Sequence, residues 1–97
     1  MTLDTIVTLE KRAIDIQNEF MDRIEDYKER CNGNDDYIMF LKKRYKETQT
    51  RFRELSTICE MLCGNDTFAR DRLTCTIYEN RLSAREMYKD FIILFAE

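Results

Sequence analysis

The stretch from Ile38 to Leu62, IMFLKKRYKETQTRFRELSTICEML, decides the fold of this chain. Within it Ile38, Leu41, Tyr45, Thr48, Phe52, Leu55, Cys59 and Leu62 follow one another at intervals that alternate three and four. At 3.6 residues per turn this spacing stacks all eight on one side of a single long helix. A seam so long and narrow is covered only by a facing helix, so the pattern is coiled-coil-like.

Polar segments bound the stretch on both sides. Before it stands Cys31-Asn32-Gly33-Asn34-Asp35-Asp36, and after it Cys63-Gly64-Asn65-Asp66. Each offers a glycine where a helix ends and an Asn or Asp where the next is capped. A single helical domain, 1–97, is therefore expected, with helices at about 4–30, 36–62 and 67–95. The first carries Ile6, Leu9, Ala13, Ile16, Phe20, Ile24 and Tyr27, with one four-residue stutter before Ile24. The third carries Leu73, Ile77, Asn80, Ala84, Met87, Phe91 and Leu94. Short linkers force neighbouring helices to run in opposite directions. The fold class expected is all-α, an antiparallel up-down-up three-helix bundle with coiled-coil-like heptad seams. The same pattern also suits a dimer that exchanges helix three. Gly33-Asn34-Asp35 recurs as Gly64-Asn65-Asp66, a likeness that common turn chemistry explains without duplication.

Composition agrees with one packed layer of helices. The chain has 97 residues, 43% apolar and 36% charged, with no proline and two glycines. That is the make-up of a folding chain and not of a disordered one. Its net charge of −3 is too small to dictate a partner. The opening Met1-Thr2-Leu3-Asp4-Thr5-Ile6-Val7 has no basic start and carries a carboxylate, unlike a secretory signal. No apolar run approaches the roughly 18 residues of a membrane span. Four cysteines in so continuous a helical pattern fit a reducing compartment better than a disulfide framework, so the cytoplasm is expected.

Histidine is absent. Ser-His and Cys-His nucleophile pairs, Glu-x-x-His di-iron ligands and histidine zinc sites cannot form within one chain. Neither glycine lies in a phosphate-binding loop pattern. The carboxylates fall along exposed faces with no inward pair, so no enzyme is expected. Cys59, Cys63 and Cys75 converge toward one end but have no fourth metal ligand, and small buried hydrophobes are their expected role. A calcium loop starting at Asn32 would need glycine at Tyr37 and glutamate at Lys43. No metal or cofactor is therefore expected.

The only basic concentration is Lys42-Lys43-Arg44-Tyr45-Lys46 with Arg51 and Arg53. An alternative function follows from it, a nucleic-acid-binding helical protein using Lys42, Lys43, Lys46, Arg51 and Arg53 against phosphate. Antiparallel folding brings Glu25 level with Lys42, and Asp22 and Asp26 close to Lys43 and Lys46. Cross-helix pairs would then account for the run and weaken it as an electrostatic footprint.

Two runs are apolar all round: Tyr37-Ile38-Met39-Phe40-Leu41 and Phe91-Ile92-Ile93-Leu94-Phe95. A bundle buries only part of each helix circumference, so such runs turn some side chains outward. The expected topology gathers Tyr27, Tyr37, Phe40, Phe91, Ile92 and Phe95 at one end as a docking surface. The function expected is a small non-catalytic module for protein–protein interaction, a self-associating adaptor or an inhibitor of a larger protein. Its partner is another protein or a second copy in a homodimer, with no membrane involved.

Overall fold

The computed structural model describes residues 1–30 and 35–95. They form three helices, α1 (Leu3–Arg30), α2 (Asp35–Cys63) and α3 (Thr67–Phe95), with no strand among the described residues. The expected bounds hold within one residue. Of the first expected polar segment, 31–36, residues 31–34 lie outside the described residues, and with them Cys31 and the start of the calcium reading, whose Tyr37 and Lys43 lie in α2.

Local chemistry starts and stops these helices. Gly64 takes a φ of +51°, the left-handed conformation that ends many helices. Asp66 N–H then donates to the Cys63 carbonyl at 2.8 Å, and the Asp66 carboxylate accepts from Ala69 N–H at 3.1 Å. That cap satisfies one of the free amides opening α3, and its hydrogen bond is the main reason the Asp66 carboxyl is held below its usual range. Thr2 plays the same part for α1, its hydroxyl accepting from Thr5 N–H at 3.3 Å.

Each helix packs on both others in a rod of 50 × 17 × 16 Å. α1 buries every member of its seam, Ile6, Leu9, Ala13, Ile16, Phe20, Ile24 and Tyr27. α2 buries Ile38, Leu41, Thr48, Phe52, Leu55 and Cys59, with Tyr45 half-buried. Its seam then departs from the expected spacing, because Cys63 is buried while Leu62 is 54% exposed. On α3 the buried residues are Ala69, Leu73, Ile77, Ala84 and Phe91; Met87 and Asn80 are half-buried, and Leu94 faces solvent. Full burial of a Leu, Ile or Phe side chain stabilises by about 1.5–3 kcal/mol, so this cluster is what holds the rod together. The Asn80 amide is satisfied by the Thr76 carbonyl at 2.8 Å.

Contacts between helices fix their relative positions. Between α1 and α2, Tyr27 meets Tyr37, Phe20 meets Tyr45, and Glu19 meets Arg51. Between α2 and α3, Gln49 accepts from Arg81 at 2.7 Å, and the rings of Tyr45 and Tyr88 stack at 4.1 Å, 1° from parallel. Between α1 and α3, Glu10 meets Arg72 and Gln17 meets Ser83.

Candidate functional site

The six expected docking residues fall into two aromatic groups. Tyr27 packs on Tyr37 at 5.5 Å and Tyr37 on the edge of Phe40 at 5.8 Å, while Phe91 packs on Phe95 at 4.7 Å. No ring contact among the described residues joins the groups, although both rest on the same core. Tyr27 and Phe91 are buried members of that core, and Tyr37, Ile92 and Phe95 are half-buried against it. Of the six, Phe40 alone is exposed, at 51%. The side chains that stand outward from these runs are Met39, Ile93 and Leu94, each about two-thirds exposed, and none was among the six. Continuing the seam through Ile38, Leu41 and Phe91 would have placed Met39 and Ile93 on the outer side.

The basic run divides. Arg51 bonds Glu19 of α1, and Arg44 donates to Glu47 at 3.1 Å. The Tyr27 hydroxyl, and after it Glu47, hold the Arg44 guanidinium still more firmly protonated than usual. Glu19, Asp22 and Asp26 line one bank of this α1–α2 groove, and Arg44 and Arg51 the other. Among the described residues, the expected pairing of Lys42, Lys43 and Lys46 with α1 is not found. Glu25 instead meets Lys28 at 3.6 Å and Asp26 meets Arg30 at 3.0 Å, since a partner one turn away on the same helix lies within easy reach. Lys42, Lys43, Lys46 and Arg53 are exposed and take part in no ion pair among the described residues.

Polar contacts between α1 and α3 are better enclosed. The Glu10 carboxylate accepts from Arg72 at 2.7 and 3.1 Å and from the Thr76 hydroxyl at 2.8 Å. Arg72 is the main reason its carboxyl is held below the usual range. Farther along, Gln17 donates to the Ser83 hydroxyl at 3.0 Å.

Cys59 and Cys63 are buried, whereas Cys75 is exposed on α3. Burial first, then the neighbouring Cys63, pushes the Cys59 thiol up, away from the reactive thiolate. No group of three or more Cys, Asp or Glu side chains among the described residues is placed to hold a metal ion. No described helix is long and apolar enough to cross a membrane. No protein-family model, curated protein or solved structure matches this chain.

Proposed function

We propose that the chain is a small non-catalytic protein-binding module of the cytoplasm, an antiparallel up-down-up bundle with heptad-like seams. Descending partner numbers support the arrangement. As α1 is read from Phe20 to Tyr27, its α2 partners run from Tyr45 back to Tyr37. From Tyr45 to Gln49 on α2, the α3 partners run from Tyr88 back to Arg81.

The observation that carries the binding role is the exposure of Met39, Phe40, Ile93 and Leu94 where the two apolar runs end the rod. Large apolar side chains beside a packed core mark surfaces that another protein covers. A small adaptor or an inhibitor of a larger protein fits this chemistry. Phe40→Asp with Ile93→Asp should abolish binding of a different protein at the tip and leave the far-ultraviolet circular dichroism unchanged. Unimpaired binding of that protein by this variant overturns the role of the tip. Phe91→Asp does not serve, since it places a carboxylate in the core.

A second reading has its own observation: Lys42, Lys43, Lys46 and Arg53 are exposed and take part in no ion pair among the described residues. Nucleic-acid binding predicts retention of a labelled oligonucleotide that falls steeply with added salt. Arg51, engaged by Glu19, contributes less to such a surface than the other four.

A further inference from the structure

The flank of α1 that faces α3 carries a second apolar row outside the core. Glu10 and Gln17 of α1 hydrogen-bond to α3. Val7 precedes Glu10 by three, Ile14 stands between the two, and Met21 follows Gln17 by four, so all three share that side of the helix. Leu3 lies one turn before Val7, and all four are exposed. Phe68, also exposed, stands four residues before Arg72 on the opposing bank. Solvent-facing positions of a bundle helix are ordinarily polar, and a row at seven-residue spacing is the pattern a further helix covers.

The same bank of α3 carries carboxylates. Glu79 lies between Thr76 and Ser83, which both reach α1, and Glu86 and Asp90 continue along that side. All three are exposed and take part in no ion pair among the described residues. Their intervals are seven and four. On α2, Lys42, Lys46 and Arg53 share the side of Gln49 at intervals of four and seven, the reverse order that antiparallel helices require. Exposed Met39 and Met61 stand beyond the two ends of this row.

We infer that the α1–α3 face receives α2 of a second copy of this chain, which lies alongside in the same orientation. The inference rests on the antiparallel arrangement proposed above but not on the tip. Because Gln49 stands level with Arg81 and Tyr45 with Tyr88, Arg53, Lys46 and Lys42 stand at about the heights of Glu79, Glu86 and Asp90. A neighbour set alongside without sliding therefore brings its cations to these carboxylates. By the same reckoning its Met61 arrives near Phe68 and Leu3, where a flexible thioether adapts to an apolar surface. One long side of the rod, 50 by 17 Å, offers on the order of 800 Å², the area per partner of a stable association. The two faces differ, so the contact is heterologous and either closes into a ring or extends as a chain.

Sedimentation velocity of the full chain across a wide concentration range tests this. Wild type should gain mass with concentration and lose it on adding salt. Ile14→Glu alone, and Lys42→Glu with Lys46→Glu and Arg53→Glu, should each give monomers with unchanged helical content. Mixing the two variants should restore a one-to-one pair, since each keeps the face that the other has lost. Met21→Glu replaces Ile14→Glu if that variant does not fold. Phe40→Asp with Ile93→Asp should leave the assembly intact, which separates this face from the tip. Monomeric wild type, variants that do not complement, or an assembly abolished only by the tip variant would each overturn the inference. So would a monomeric wild type whose lysine face retains a labelled single-stranded oligonucleotide.

Discussion

α1 keeps its whole seam buried, whereas α2 and α3 each turn the last seam residue into solvent. The difference lies in where each seam stands on its buried face. A strict seven-residue repeat slips about 20° per heptad on a straight helix, so three heptads turn a residue by about 60°. From Leu41 to Leu62, and from Leu73 to Leu94, the repeat runs uninterrupted for three heptads, and Leu62 and Leu94 end up outside. α1 also runs three heptads, from Ile6 to Tyr27, but these two stand on opposite sides of the middle of its buried face, and both stay covered. Part of the exposed apolar surface at each end of the rod is thus left by drift. Spacing alone gives every seam residue the same weight, and substitutions along the seams expose how unequal they are.

The largest effect is expected beneath the part of α2 that has not drifted. Phe52 is fully buried in the core that the three helices share, and Phe52→Ala removes most of its side chain from a site that closes only partly. Denaturant unfolding should show a loss of about 3–5 kcal/mol. A loss below about 1 kcal/mol would mean that the centre of α2 carries no more weight than its end.

Cys63 comes next, because it occupies the place in the core that Leu62 has left. Cys63→Ser keeps the shape and buries a hydroxyl, at a cost of about 1–3 kcal/mol where no carbonyl accepts from it. The same denaturant measurement on Cys75→Ser, whose thiol is exposed, should show no change. Equal costs for the two would place the core boundary elsewhere.

Helix number, bounds and most of the core were legible in the sequence, because periodicity and glycine placement are local signals that packing reinforces. Gly64 and Asp66 act as their residue types predict. The tip residues were only partly legible. Five successive apolar residues reveal that some face outward without revealing which, and the exposure of Leu94 follows from drift accumulated along α3. The charge pairs were misjudged for a different reason. Height along the rod placed Lys42 beside Glu25, but a side chain selects its partner by angle as well, and Lys28 stands one turn from Glu25 on the same helix.

A smaller effect belongs to Glu10, which joins the α1 flank to α3 through Arg72 and Thr76. Its carboxyl is held below the unfolded value, so its contribution is complete above the ordinary carboxylate pKa and is lost as pH falls through the lower folded one. Thermal unfolding followed from neutral pH down through that acidic window should show the midpoint falling. Glu10→Gln should flatten part of the decline. An unchanged slope would mean that the contact adds nothing to stability in solution.

The smallest effect is also the most discriminating. Leu62→Ser and Leu94→Ser alter residues that the three-four spacing places in the core and that the structure leaves more than half exposed. Little apolar area returns to water when such a side chain is shortened, so each should change monomer stability by no more than about 0.5 kcal/mol. Serine also lowers helix propensity relative to leucine, but only by a few tenths of a kcal/mol, and less near a helix end. Had the seams wound around one another with a full left-handed supercoil, drift would be cancelled and both leucines would be covered, at a cost of about 2 kcal/mol or more on removal. The measured value therefore reports whether these helices supercoil or stay nearly straight. A near-zero cost for monomer unfolding together with weakened association would assign both leucines to a surface that a partner covers.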